Sequence, residues 1–307
     1  NFENDALLKQ DDALKKALCE LVSQGGKRIR PLFLLMATDL GSYPKKEDCY
    51  LAAVAIELLH LSSLIHDDIV DQADTRRSLP TIRAQFGNDV AVYAGDYLFV
   101  CCFKLMADYA GSLKSLQINS RSMETILAGE LGQMSKRYDL NVTIEDYLEN
   151  ISGKTAELFA LSCFIGAYES GASLRLANQA KTIGQSIGLA FQIMDDILDY
   201  SQSESALGKP VLEDVKQGVY SLPLLLALKK ERAVLTPLLE KKAEMTDQEA
   251  QQVYQIVHDS HSVEEAHQLA ARYTKKALQG IKKLPDPGKN TKDYLYQITN
   301  QILARTN

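Results

Sequence analysis

Two short acidic runs, Asp67-Asp68-Ile69-Val70-Asp71 and Asp195-Asp196-Ile197-Leu198-Asp199, repeat one pattern at distant points of the chain, each inside a stretch with helical hydrophobic spacing. Positions i, i+1 and i+4 of a helix share one sector, so each run is expected to project three carboxylates from one face. Like charges so placed repel one another, and burying them without partners is expensive. Any fold for this chain must therefore bring counter-charge to both runs. Oxygen-only ligands in this arrangement suit a hard divalent cation, and Mg²⁺ usually keeps a few carboxylates, several waters and a substrate phosphate in its shell. Alone, such a run suits a solvated helix face equally well. The setting favours a site: the first run follows the apolar series Ala52 to Ile65, and the second lies among Phe191, Ile193, Met194, Ile197 and Leu198. Both are thereby placed at the rim of an apolar interior.

Helical periodicity dominates elsewhere, and alternating runs bounded by paired turn residues are scarce, which gives an all-α fold. Pro31 followed by Leu32 to Leu40 reads as a helix with proline in its first turn, closing at Gly41. The next helix runs from about Glu47 through the first acidic run. Further helices are expected near 90–109, 113–137, 144–169, 174–200, 218–230, 247–258, 262–284 and 291–304, with boundaries good to a few residues. A basic, turn-rich loop follows each acidic run: Gln72 to Asn88 carries Arg76, Arg77 and Pro80, and Ser201 to Gly218 carries Gly208-Lys209-Pro210 and Lys216. That is the arrangement of a mouth where charged substrate enters and a flap closes. No composition shift divides the chain, so a single catalytic domain over 1–307 is expected.

A net charge of −6 is too mild for an acidic tail and argues against nucleic acid as the main partner, which needs a basic footprint. The five cysteines are scattered and mostly lie in apolar stretches, so they read as reduced core residues. No Cys-x-x-Cys pair or Cys/His cluster points to zinc, and a cytoplasmic setting fits best. No secretory-type leader is seen, and no apolar run is expected to reach the roughly 18 residues of a membrane span. The sequence opens on Asn1 rather than methionine, so a few residues are expected to precede it.

A second constellation, Gly25-Gly26-Lys27-Arg28-Ile29-Arg30-Pro31, combines backbone that a ligand can approach with cations that suit a diphosphate. A plain basic loop before a helix fits the same residues, and the same two readings apply to Arg76, Arg77, Lys154 and Lys209. His60 lies two helical turns before Asp67 on the same face and reads as functional; His66 has weaker grounds. His258, His261 and His267 sit in a polar region and read as surface residues. Glu130 and Gln133, one turn apart, read as support for the site.

Taken together these pieces resemble the all-trans (E-type) polyprenyl diphosphate synthases over almost the whole chain. The matching elements are Gly25 to Pro31, His60, the first acidic run, Arg76-Arg77, Gly95-Asp96, Glu130 with Gln133, Lys154-Thr155, Phe191-Gln192 with the second acidic run, and Gly208-Lys209-Pro210. The resemblance implies one domain of long helices around a deep central cavity, usually dimeric. It implies that Asp67, Asp71 and Asp195 hold Mg²⁺ on the diphosphate of an allylic substrate, with Asp68, Asp196 and Asp199 completing the metal runs. Arg76, Lys154 and Lys209 would grip that diphosphate, while Lys27, Arg30, His60 and Arg77 would bind isopentenyl diphosphate. Lys154, Thr155 and Gln192 form the catalytic set, the last two facing the developing allylic cation. One departure stands out: the family commonly has glycine after the paired arginines, and this chain has Ser78.

In the family, residues about one turn before the first acidic run gate product length, and here they are Ser62 and Ser63. Small side chains leave that path open, so the expected product is longer than farnesyl, of geranylgeranyl length or more. The pattern also resembles the catalytic subunit of two-component bacterial synthases, so homodimer and heteromer with a non-catalytic partner both fit. Two rivals are a terpene cyclase, which as a family lacks the Gly-Gly-Lys-Arg cluster, and a regulatory synthase subunit, which typically loses the acidic runs.

Overall fold

A computed structural model of the chain describes residues 11–23, 26–42, 46–77, 79–200, 213–286 and 290–303. The expected all-α class holds. In chain order the helices are α1 (Asp12–Ser23), α2 (Ile29–Ala37), α3 (Lys46–Val70), α4 (Ile82–Phe86), α5 (Asn88–Tyr109), α6 (Leu113–Ser135), α7 (Ile144–Ile151), α8 (Glu157–Glu169) and α9 (Leu174–Leu198). They continue with α10 (Glu213–Lys216), α11 (Leu222–Lys230), α12 (Arg232–Leu239), α13 (Asp247–Asp259), α14 (Ser262–Lys282) and α15 (Thr291–Leu303). Gly25, Ser78, Gly208, Lys209 and Pro210 lie outside the described residues.

The chain divides into two compact units. One comprises Asn1–Leu116 with Ile165–Ser173, and the other Gln117–Phe164 with Leu174–Asn307. In the first unit α3 packs lengthwise on α5, with α2 against α3. Phe33, Leu34, Ile56, Leu61, Ile65 and Leu98 are fully buried there. Among the described residues, Glu47–Val70 and Asn88–Tyr109 are long and apolar enough to cross a membrane by length and composition, each with a mean hydropathy of 1.5. This corrects the expectation that no stretch would be so. Glu47 and Asp48 in the first turn of α3 sit at the favourable pole of its dipole.

The second unit packs α9 along α14. Its core gathers Tyr147, Ile151, Leu189, Ile193, Ile197 and Tyr200 with the inward faces of α11, α13 and α14. Local sequence starts the helices. Thr143 with Asp146 and Thr246 with Glu249 form capping boxes at α7 and α13, and Pro223 sits in the first turn of α11. The expected helix over 144–169 is one continuous rod interrupted by a π-helical turn, Ser152–Ala156. The loop expected from Gln72 to Asn88 instead contains a small antiparallel hairpin, Thr75–Arg76 against Leu79–Pro80, and then α4, whose N-cap Thr81 accepts from the Ala84 amide.

Candidate active site

Each acidic run occupies the C-terminal end of a 25-residue helix, α3 or α9, and neither helix has a basic residue in its last turn. Carboxylates at the negative pole of a helix add to their mutual repulsion. The need for counter-charge read from the sequence is thus sharper in the fold. The runs do not, however, present three equivalent carboxylates. Asp68 turns inward, 5% exposed, and pairs with Arg76 Nε at 2.7 Å. Burial raises its pKa, Arg76 opposes that shift, and Asp67 and Asp71 add to it. The hairpin after α3 is what delivers Arg76 to this contact.

The first unit also assembles the cations. Arg30 Nη1 lies 3.2 Å from His60 Nε2. His60 is held neutral, its pKa well below the usual 6.5, by burial first and then by Arg30, Arg77 and Arg76. Because arginine only donates, Nε2 accepts and the proton of the neutral ring sits on Nδ1, where it can serve an anion. Glu57, one turn earlier on α3, has its pKa raised by burial, while Arg30, Arg28 and Arg77 pull it back down. Sequence reasoning missed Glu57, although its three-residue spacing from His60 was a usable signal. A Cβ on Gly26 would lie 2.5 Å from the Arg77 guanidinium, so this glycine admits Arg77 to the cluster. Arg77 itself takes the left-handed conformation, φ 53°, beside Ser78. Arg28 serves structure: its Nη2 caps the end of α1 through the carbonyls of Val22 and Ser23 at 3.0 and 3.2 Å. Lys27 is exposed in the same segment.

His66 pairs with Asp96 at 3.2 Å and packs on Gly95. Ser62 is fully buried and donates to the Gly95 carbonyl at 2.9 Å, so it fills the α3–α5 seam. Ser63 is half-buried and bonds within its own helix to the His60 carbonyl. Of the two serines only Ser63 shares the stripe of His60 and Asp67. A cavity of about 360 Å³ opens between α1, α3 and the hairpin, with Asp68, Arg76 and Arg77 at one end and Leu61, Ile65 and Ile82 among its walls.

In the second unit the π-turn carries Lys154 and Thr155. Such turns recur at functional sites because they aim side chains off the regular helical spacing. Lys154 Nζ pairs with Glu130 Oε2 at 2.8 Å and donates to Gln133 Oε1 at 2.9 Å, which places both expected supporters on the lysine. Close approach makes this possible, since a Cβ on Gly129 would lie 2.5 Å from the Lys154 amide nitrogen. Thr155 Oγ1 donates to Gln192 Oε1 at 2.7 Å, and Gln192 Nε2 donates to Asp196 Oδ1 at 2.8 Å. The Asp196 carboxyl is pushed up to about 7 by burial, against hydrogen bonds from Tyr147 and Gln192 that lower it, with Asp199 and Asp214 raising it. Asp195 is half-buried and Asp199 exposed. His258, expected at the surface, is half-buried, with Nε2 2.5 Å from the Tyr200 carbonyl just past the second run. Lys216 pairs with Asp247 at 2.5 Å. Tyr147 was also missed, because its partner lies far along the chain and leaves no local signal.

All-oxygen donors at the two helix ends fit a hard cation. Among the described residues no three Asp, Glu, His or Cys side chains gather into a ready-made cage. Hydrated Mg²⁺ asks for no more than one or two carboxylates beside substrate phosphates. The all-helical fold, with two long helices ending in acidic runs, is that of the isoprenoid synthase class.

Residues 11–257 match the polyprenyl synthetase family. Heptaprenyl diphosphate synthase component 2 of Geobacillus stearothermophilus is 38% identical over 272 residues, covering 89% of this chain and 84% of that one. A geranylgeranyl pyrophosphate synthase from Lactobacillus brevis has a TM-score of 0.92 at 38% identity, over 96% of this chain and 91% of that one. A polyprenyl synthase from Caulobacter crescentus, solved with calcium and isoprenyl diphosphate, has a TM-score of 0.87 at 32% identity, over 97% and 90%. The chain belongs to the polyprenyl synthetase family and is a prenyltransferase, a polyprenyl diphosphate synthase.

Proposed function

We propose that the chain condenses isopentenyl diphosphate with an allylic diphosphate, with Mg²⁺, to an all-trans polyprenyl diphosphate longer than farnesyl. The observation that carries this reading is the cluster of Arg30 from α2, Arg77 from the hairpin turn and neutral His60 from α3, a diphosphate cradle against the helix whose last turn carries Asp67, with Asp71 just past it. Arginine forks and the His60 Nδ1–H, with Lys27, bind isopentenyl diphosphate. Arg76, Lys154 and Lys209 bind the allylic diphosphate, and the hold of Glu130 and Gln133 keeps the Lys154 ammonium in place. Asp67 and Asp71 on one acidic run and Asp195 and Asp199 on the other would hold Mg²⁺, which would supply positive charge where the leaving diphosphate gains negative charge. Thr155 and Gln192 face the allylic cation, and apolar walls keep water from trapping it.

Product length follows from small residues above the apolar half of α3. Ser63, rather than the seam-filling Ser62, is the residue whose size limits the chain. Relatives of similar identity include a geranylgeranyl and a heptaprenyl synthase, which supports a product beyond farnesyl. The free state of all five cysteines suits a reducing compartment such as the cytoplasm. On α5, Tyr93, Val100 and Phe103 are 75%, 48% and 50% exposed at heptad-like spacing, a face that a second copy covers. A two-component assembly is the other outcome when mass is measured by light scattering.

Purified chain, labelled isopentenyl diphosphate, allylic primers and Mg²⁺ test the reading, with Asp67→Ala as control. Label passing into longer prenyl diphosphates, lost with the variant or with EDTA, is expected. Diphosphate release without incorporation of the label would make it a terpene cyclase and overturn the proposal. Turnover unchanged in Asp67→Ala would remove the acidic run from the chemistry.

A further inference from the structure

Tyr147 in α7 is buried and belongs to neither the metal runs nor the diphosphate cradles. Its hydroxyl donates to Asp196 Oδ2 at 2.6 Å. The other oxygen, Oδ1, accepts from Gln192 Nε2 at 2.8 Å, and Gln192 Oε1 accepts from Thr155 Oγ1 at 2.7 Å. Four side chains from α7, the π-turn and α9 thus form one hydrogen-bonded relay with a single direction.

The carboxylate fixes that direction. The donors Tyr147 and Gln192 favour the ionised form of Asp196 against its burial, and in that form it only accepts, so Gln192 turns its NH₂ toward Asp196; the flipped amide would set oxygen against oxygen. Oε1 is then left facing Thr155, which spends its only proton on it. What the Thr155 hydroxyl can still offer to a neighbour is a lone pair. An allylic cation is stabilised by oxygen lone pairs and destabilised by the positive end of an N–H or O–H dipole, so this polarity suits carbon–oxygen heterolysis. Both oxygens of Asp196 are engaged in holding it.

We propose that Tyr147 is a positioning residue for prenyl transfer: through Asp196 it locks Gln192 and Thr155 with their oxygens, not their protons, available to the allylic cation. Asp196 in this view serves the relay, while Asp195 and Asp199 serve the metal. Removing the phenolic hydroxyl leaves Oδ2 without this donor, the carboxylate turns, and the amide of Gln192 loses its fixed sense. The inference rests on the function proposed above, in which Thr155 and Gln192 face the cation.

The test uses the full chain and Tyr147→Phe, which keeps the ring and deletes one donor. The single-turnover rate of carbon–carbon bond formation is expected to fall about tenfold, equivalent to ~1.4 kcal/mol. KM for both diphosphates should stay within about twofold, the split expected when only transition-state stabilisation is lost. An ammonium analogue of the allylic cation, bound with inorganic diphosphate, should weaken by the same factor, while an uncharged thiolo-diphosphate analogue of the substrate keeps its affinity. Asp196→Asn, with a carboxamide that cannot accept at both positions, should repeat the pattern and covers the case in which Tyr147→Phe does not fold. Equal weakening of both analogues, or an unchanged rate, overturns the relay. A wild-type chain that does not couple the two diphosphates overturns instead the function on which it rests, so the two failures are distinct.

Discussion

Substituting His60 by glutamine reports on the charge state at the centre of the cradle. His60 is buried against Arg30, with Arg76, Arg77 and Glu57 as its other charged neighbours, and its pKa lies well below 6.5. In the unfolded chain the ring titrates near 6.5, whereas in the fold it stays neutral. As pH falls below 6.5 the unfolded state therefore binds a proton that the native state does not, and stability declines until the folded pKa is reached. Between about pH 7.5 and about pH 5.5 the integrated loss has a ceiling of roughly 1.4 kcal/mol, set by the unfolded pKa alone. Glu57 contributes in the opposite sense, because its raised pKa makes the native state bind protons more readily at low pH. That contribution is common to wild type and variant and drops out of the difference. Urea denaturation of both proteins at the two pH values gives the number directly. The wild type should lose more stability than His60→Gln over this range, by up to about 1.4 kcal/mol. Parallel pH dependences, within about 0.3 kcal/mol, would refute a neutral buried imidazole and with it the Nδ1–H donor.

Other substitutions separate binding from framework. Asp68→Asn removes a carboxylate whose raised pKa marks its charge as costly at this position, so stability at pH 7 in urea unfolding should hold or rise slightly, the weakened Arg76 bond being offset by relief of burial and of repulsion from Asp67 and Asp71. Glu130→Gln loosens Lys154, so KM for the allylic diphosphate should rise several-fold while that for isopentenyl diphosphate holds; steady-state kinetics on each substrate reads the difference. Ser63→Phe should shorten the product. Ser62→Phe should chiefly lower the melting temperature, because overpacking a closed helix seam costs about 1–3 kcal/mol.

What the sequence made legible was whatever is encoded locally. Apolar period, capping residues and the Gly/Pro punctuation located the long helices within a few residues, because each property acts over one or two turns. Elements whose signals conflict were lost: Pro237 sits inside α12, and the short α4 and the hairpin lie in a stretch rich in turn residues. The same division runs through the site. Helical spacing put Asp67, Asp68 and Asp71 in one sector, but a partner supplied by the hairpin turns Asp68 inward to Arg76. His258 looked like one more polar residue, yet it meets the Tyr200 carbonyl across 58 positions of sequence. Tyr147 and Asp196 meet across 49. Contacts of that range are set by packing between helices, which no window along the chain reports.

On the function proposed above, this chain lengthens an allylic diphosphate past farnesyl. Purified protein given farnesyl diphosphate, labelled isopentenyl diphosphate and Mg²⁺, with products dephosphorylated and resolved by reversed-phase chromatography, tests it most directly. Labelled all-trans alcohols of geranylgeranyl length or greater are expected. Products that stop at farnesyl when a geranyl primer is supplied, with no label entering longer chains from farnesyl diphosphate, would contradict it.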